Sequence, residues 1–152
     1  TGLDRMTEKR PEQSSQGKKK GISYEAETQG VVVRVKPAFL DEESSPEENR
    51  YIWAYHVEIE NRGKRTLQLM TRHGHITDRE GRVQEVNGSG VVGQNPVLKP
   101  GGRFEYTSGC PLNAPSGMMQ GTYSLEDETG AMLEARIPLF ALDSPYDRRA
   151  PN

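Results

Sequence analysis

The middle of the chain alternates hydrophobic and polar residues with a period of two, which is the pattern of β-strands with one buried face and one exposed face. The clearest example is the stretch 50–61, where aromatic and aliphatic residues occupy every second position. Burying several aromatic rings stabilises a core strongly. We therefore expect this stretch to be a central strand. The residues predicted to face the core are Tyr51, Trp53, Tyr55, Val57 and Ile59.

Further short segments carry the same alternation and are separated by turn residues. Leu67 and Leu69 are predicted to face the core, Pro37 is expected to end a strand, and residues 111–115 are expected to form a loop. Since no helical period occurs, seven or eight short strands predict an all-β protein, an antiparallel β-sandwich, with a closed barrel as the alternative. The other predicted strands are 22–28, 31–37, 66–73, 76–78, 82–86, 103–107, 117–126 and 131–138.

Composition places these strands in one domain. The 152 residues are 32% hydrophobic, and the polar excess is concentrated at the two ends of the chain. The sequence therefore predicts a disordered polar N-terminal tail over 1–21, a β-sandwich domain over 22–142 and a flexible C-terminal tail over 143–152. Residues 1–5 precede Met6 and are interpreted as lying before the native start.

Charge and cysteine content narrow the function classes. A formal net charge of −2 provides no field that would recruit nucleic acid or an anionic membrane, so neither is expected as a partner. Cys110 is the only cysteine, which excludes an intramolecular disulfide, and a cytoplasmic location is expected. No base or cation lies near Cys110 in sequence, so it is not predicted to be a nucleophile. We predict no catalytic residue and no cofactor.

A glycine-rich segment carries the spacing Gly88-x-Gly90-x-x-Gly93. A dinucleotide site needs a helix after such glycines, and the prolines and glycines that follow here forbid one. The simplest interpretation is an ordered connection that uses glycine's freedom at positive φ. The alternative is a nest of backbone N–H groups that, with Arg72, binds pyrophosphate or a nucleotide, so that a phosphate-containing small molecule is a candidate ligand.

Two histidines suggest a second alternative. His73 and His75 are two residues apart on a predicted strand and so share a face, with Asp78 in the turn that follows. Two imidazoles and a carboxylate suit a transition metal, which makes these three residues a candidate metal site. His56 is instead interpreted as a hydrogen-bonded structural residue.

Several spaced motifs together resemble the bacterial ApaG family over about residues 24–145. One departure is Gly74, where the family usually has a large aromatic residue after Arg72-His73. The matching positions are Thr71-Arg72-His73, Ile76-Thr77-Asp78, Gly88-x-Gly90-Val91-Val92-Gly93-x-x-Pro96-x-Leu98-x-Pro100-Gly101, Phe104-x-Tyr106-Thr107-Ser108-Gly109-Cys110, Pro115-x-Gly117-x-Met119-x-Gly121-x-Tyr123 and Ile137-Pro138-x-Phe140-x-Leu142.

The resemblance implies an immunoglobulin/fibronectin type III-like sandwich and a link to cobalt and magnesium tolerance. Similar domains in eukaryotic F-box proteins look like partner-binding modules. We therefore expect a non-enzymatic interaction module that binds a protein partner. The sequence identifies neither the partner nor the oligomeric state. The interaction surface is predicted as an exposed apolar patch around Val91, Val92 and Met118.

Overall fold

The computed structural model of the protein describes residues 22–147. They form nine strands and two short 3-10 turns, and within these residues there is no α-helix. The strands are β1 (Tyr24–Thr28), β2 (Val31–Phe39), β3 (Tyr51–Asn61), β4 (Leu67–Asp78), β5 (Val83–Ser89), β6 (Val97–Leu98), β7 (Arg103–Leu112), β8 (Gly117–Asp127) and β9 (Met132–Leu142).

Two antiparallel sheets pack face to face. The first has the order β1-β2-β3-β7, and the second has the order β5-β4-β8-β9, with β6 paired to β4. The all-β antiparallel sandwich of immunoglobulin/fibronectin type III-like class is therefore confirmed. There are nine strands rather than seven or eight: the predicted segments 66–73 and 76–78 form one strand, and β6 is a two-residue strand that the sequence did not indicate.

The core lies between the sheets and has the composition that the alternation predicts. Trp53 and Ile59 of β3 are almost fully buried, as are Leu67 and Leu69 of β4. The indole Nε1 of Trp53 donates a hydrogen bond to the Asp143 carbonyl oxygen at 2.8 Å, so the polar atom of this ring has a partner. The predicted central strand β3 does lie inside its sheet, between β2 and β7.

One side of the sandwich is closed by side chains of β1. The hydroxyl oxygen of Thr28 accepts a hydrogen bond from the backbone N–H of Arg136, and that of Tyr24 accepts one from the N–H of Ala141. These bonds cover the outer edge of β9, which would otherwise expose unpaired backbone groups. The strands β5 and β7 are left at the opposite edges of the two sheets.

Pro37 does not end its strand, and the loop predicted over 111–115 was wrong at residues 111–112 and right at residues 113–115. Pro37 lies inside β2, opposite Tyr55 of β3, and Pro111 lies inside β7. Proline is tolerated in a strand that lacks a neighbour on one side. The pairing of β1 with β2 stops at Val35, so β2 has only one neighbour at Pro37, and β7 is an edge strand along its whole length.

The second strand pair also differs from the prediction. Residues 66–73 and 76–78 were expected to be separate strands, but β4 runs through Gly74 without a break. Its pairing with β8 shifts register between Leu69 and Thr71, which is a β-bulge. Because a bulge adds one residue to the strand, side chains after it alternate in the opposite phase.

Residues near the C-terminus pack on the sandwich. The ring of Tyr146 lies 5.9 Å from Phe39 and 6.2 Å from Tyr51, measured between ring centroids, and Arg79 forms an ion pair with Asp147 at 2.6 Å. Residues 143–147 of the predicted C-terminal tail are thus in contact with the domain. The predicted N-terminal tail over 1–21, and residues 148–152, lie outside the described residues.

Candidate functional site

The bulge in β4 decides where the predicted site residues lie. After it, Gly74, Ile76 and Asp78 face the inside of the sandwich, and His73 and His75 face outward. Arg72 shares the phase of Gly74 and is therefore on the inner face, although it carries a positive charge. Sequence periodicity could not show this, because an unbroken alternation from Leu67 and Leu69 places residue 72 outside.

Arg72 lies in a cross-strand row on the inner face, between Gly88 of β5 and Tyr123 of β8. The guanidinium reaches across Gly88 towards the β5 edge, because a Cβ atom added at Gly88 would lie 3.5 Å from its Nη2 atom. Facing this row from the first sheet is Tyr106, whose hydroxyl is hydrogen-bonded to that of Tyr123. Burial and the neighbouring Tyr106 raise the pKa of Tyr123 well above its usual value, and Arg72 acts in the opposite direction.

Only part of the predicted anion site is assembled. Arg72 and Gly88 lie side by side, but Gly90 and Gly93 lie apart from them. The N–H of Gly90 donates to the Met70 carbonyl oxygen at 2.9 Å, so it is used within the fold. Gly93 lies in the turn after β5, where Val91 and Gln94 exchange two backbone hydrogen bonds. Glycine is needed at position 90, where φ is +67° and a Cβ atom would clash with the Gln94 carbonyl oxygen. Nucleotide binding by the whole segment stays a prediction.

The three predicted metal ligands are divided between the two faces of the sheet. His73 and His75 share the outer face, where the His75 Nε2 lies 3.2 Å from the Gln120 amide nitrogen. Asp78 is on the inner face, and its carboxylate binds the side chain of Arg82 at 2.9 Å and two backbone N–H groups. Burial raises the pKa of Asp78, but the hydrogen bonds from Arg82 and Glu80 outweigh it and hold this pKa below the usual value.

Asp127 binds the backbone of the β8–β9 turn in the same way as Asp78 binds that of the β4–β5 turn. Asp127 begins the β8–β9 turn as Asp78 begins the β4–β5 turn, and in each a glycine three residues later has φ near +90°. Each carboxylate accepts the backbone N–H groups two and four residues ahead. The repeated spacing Asp-x-x-Gly is the sequence signal that could have shown that the Asp78 carboxylate binds the backbone N–H groups of its own turn. Within residues 22–147, no three His, Cys, Asp or Glu side chains converge as metal ligands.

His56 and Cys110 have the structural surroundings that were expected. On the outer face of the first sheet, the His56 ring contacts the Thr107 hydroxyl at 2.9 Å and the Glu105 carboxylate at 3.0 Å, so His56 is hydrogen-bonded as predicted. Cys110 is buried, and burial raises the pKa of its thiol to about 12. Such a thiol carries almost no thiolate at neutral pH and is a poor nucleophile.

Of the apolar patch that the sequence predicted to be exposed, only Met118 is exposed. Val91 is buried and Val92 is half-buried against the core, because the turn after β5 folds back onto the sandwich. Met118 is exposed, as expected. It shares the outer face of the second sheet with two exposed apolar residues that the sequence analysis did not single out, Val83 and Leu139.

The fold and these surroundings define the class of protein: a small two-sheet β-sandwich whose unusual features are a charged side chain on the inner face and apolar side chains on the outer one. The sequence model of a protein family, described as the ApaG domain, matches residues 41–127 of this chain. The chain belongs to the ApaG family.

Its similarity to individual relatives extends over most of the chain. It is 55% identical to Protein ApaG of Rhodospirillum centenum over 129 residues, which cover 85% of this chain and 99% of the relative. It is 52% identical to Protein ApaG of Brucella suis over 129 residues, with the same shares of the two chains. A crystal structure described as the ApaA protein of Bordetella pertussis has a TM-score of 0.74 and 49% identity, covering 77% of this chain and 95% of that one.

No helix within the described part of the chain is both long enough and apolar enough to cross a membrane.

Proposed function

We propose that this ApaG-family protein is a non-catalytic protein-binding module and that it contacts its partner with the outer face of the β5-β4-β8-β9 sheet. The observation that carries the proposal is a group of exposed apolar side chains at one end of that face. We call this group the outer apolar patch, and it consists of Val83, Met118 and Leu139, which are 59%, 44% and 50% exposed.

Strand register places these residues at the same end of the outer face, with Thr77 between Val83 and Met118. Val83 of β5 and Met118 of β8 are both opposite Thr77 of β4, so the two side chains lie in one row across three strands. Leu139 of β9 alternates with the buried Phe140 and therefore points outward. Exposed apolar side chains that are grouped on one surface are typical of interaction sites in small proteins.

Polar residues border the outer apolar patch. A shallow groove beside Leu139 is lined by His75, Gln120 and Arg136 on the second sheet and by Glu25 of β1. An apolar centre with a polar rim is the usual arrangement of a protein interface, in which the centre contributes most of the affinity and the rim contributes orientation. This arrangement supports a protein partner for the face.

Site-specific photo-crosslinking in cells tests the proposal. A photoreactive amino acid is placed at Met118 or Leu139, and in a matched control at Lys36, which is exposed on the outer face of the other sheet. We expect the same discrete crosslinked species from positions 118 and 139 and none from position 36. Leu139→Glu should abolish the species formed from position 118, because a charge would be desolvated in the interface. Equal crosslinking from position 36, or none from the patch, would refute the proposal.

A further inference from the structure

The guanidinium of Arg72 lacks a counter-ion. Among the described residues no carboxylate lies within ion-pair distance of it, whereas Arg65, Arg79, Arg82 and Arg103 each pair with an aspartate or a glutamate. The Nε atom of Arg72 is also excluded from solvent and, within the same residues, has no hydrogen-bond partner. A buried N–H group of a charged side chain without an acceptor destabilises a folded protein. The position of this arginine therefore indicates a role other than stability.

The side of the guanidinium that faces Gly88 is the side suited to a carboxylate. A Cβ atom at Gly88 would lie 3.5 Å from Nη2 and 3.9 Å from Nε, so no side chain of residue 88 lies beside the Nε–Nη2 edge, although Nε itself is out of contact with solvent. That edge presents two parallel N–H donors, which match the two oxygens of a carboxylate.

The surroundings restrict the size and charge of the ligand. A cavity of about 10 Å³ lies under Arg72, bordered by Tyr106, Tyr123 and apolar side chains including Val86. This volume accommodates about one oxygen atom or one water molecule. Since Arg72 is the only arginine or lysine among the described residues that line the cavity, a singly charged planar group suits the site better than a phosphate.

We propose that Arg72, with Gly88 beside it, is a binding site for a carboxylate group that enters between the sheets at the β5 edge. One carboxylate oxygen accepts from Nε inside the cavity, and the other accepts from Nη2 above Gly88. The carboxylate belongs either to a small free acid or to a side chain or C-terminus of a peptide. The site lies on the inner face of the second sheet and goes beyond the outer apolar patch, so either proposal can fail without the other.

The test is an NMR titration that follows the Arg72 Nε–H resonance, assigned by its loss in Arg72→Met. Sodium acetate is added, and sodium chloride at equal ionic strength is the control. We expect a saturable shift of the Nε–H proton to higher frequency with acetate and no such shift with chloride. An Arg72 resonance that does not respond to acetate, or that responds equally to chloride, would overturn the proposal.

Gly88→Ala is the second variant, because φ at Gly88 is not positive and the added methyl group meets only ordinary contacts. It should fold normally and bind acetate at least about tenfold more weakly, since the methyl group occupies space beside the Nε–Nη2 edge. Unchanged acetate affinity in this variant would contradict the geometry that we propose.

A further arm of the titration distinguishes the two sources of the carboxylate. An extended peptide with one central glutamate is compared with its glutamine counterpart. Binding of the glutamate peptide that is tighter than acetate and also shifts β5 backbone amides identifies a peptide carboxylate. Acetate binding without any gain from the peptide identifies a small free acid. Equal shifts of Arg72 Nε–H with the glutamate and glutamine peptides, without an acetate effect, would reject the site.

Discussion

Arg72 shows how one inserted residue changes the chemistry of a strand. The bulge between Leu69 and Thr71 reverses the alternation in β4 and places a cation inside the sandwich, beside the hydroxyl groups of Tyr106 and Tyr123. Natural proteins tolerate such destabilising placements mainly where they serve binding or catalysis.

Replacement of Arg72 by methionine should therefore not destabilise the fold. Methionine retains a flexible apolar stem of similar reach and removes the unpaired charge, so we expect the free energy of unfolding to stay unchanged or rise by about 1 kcal/mol. Urea denaturation measures this, with Arg65→Met as the comparison. Arg65 pairs with Asp127 at 2.7 Å, and its loss should lower stability. A clear destabilisation by Arg72→Met would show that the guanidinium has a structural partner.

The lowered pKa of Asp127 predicts how the free energy of unfolding changes with pH. The hydroxyl of Thr129, the side chain of Arg65 and two backbone N–H groups lower the pKa of Asp127 to about 2 in the folded state. A lowered folded-state pKa adds stability above the unfolded-state pKa, which is near 4, and this stability is lost as the pH falls. The free energy of unfolding should thus decrease from about pH 4 down to about pH 2.

The variant Asp127→Asn isolates this effect. It should be less stable than the parent protein at neutral pH, and its unfolding free energy should depend less on pH in the same acid range, because the titrating group is gone. Denaturant unfolding at a series of pH values provides both quantities. An identical acid dependence in the two proteins would show that Asp127 is not the group responsible.

At the scale of elements, β4 and β8 approach each other unusually closely at Gly121. A Cβ atom there would clash with the His73 carbonyl oxygen and would lie 2.8 Å from the Gly74 Cα atom, and both of these are backbone groups that cannot move aside easily. Glycine at position 121 thus allows β4 and β8 to pack at the centre of the second sheet, whereas a Cβ atom at Gly74 would meet only ordinary contacts at 3.5 Å or more.

Gly121→Ala should destabilise the protein by about 1–3 kcal/mol or prevent folding, as overpacking does in other cores. Gly88→Ala is the matched control, since it also lies in the second sheet but meets no atom closer than 3.5 Å. Thermal unfolding compares the two variants. Similar melting temperatures for Gly121→Ala and the parent protein would contradict the close packing of β4 on β8.

Most elements could be predicted from the sequence, because their signal is local. Alternation over Tyr51–Asn61 gave β3, and turn residues separated the hairpins. The continuity of β4 and the presence of Pro37 and Pro111 inside strands could not be predicted, since they depend on which strand lies alongside. The same holds for the candidate sites. The inward position of Arg72 follows from a bulge that leaves no mark in the hydrophobic pattern, and its place opposite Gly88 follows from the β4–β5 register. The separation of Asp78 from the two histidines follows from the continuity of β4, in which residues 73 and 75 alternate with residue 78.

At the scale of the whole molecule, the two sheets offer different surfaces. The side where β1 covers β9 is closed by hydrogen bonds, whereas the side with β5 and β7 leaves the Arg72 guanidinium near an edge. The outer face of the second sheet carries the outer apolar patch at one end and His73 with His75 near its middle. The proposal for Arg72 depends on a single structural claim, namely the change of phase in β4 at the bulge.

Thiol labelling of single cysteine variants tests this claim most directly. The native Cys110 provides an unreactive reference, because it is buried and its pKa is raised to about 12. In folded protein, His73→Cys should react with a maleimide at a rate near that of the unfolded chain, and Arg72→Cys should be strongly protected. If Arg72→Cys reacts as fast as His73→Cys, or if the order is reversed, then β4 keeps the phase set by Leu67 and Leu69 and the account is wrong.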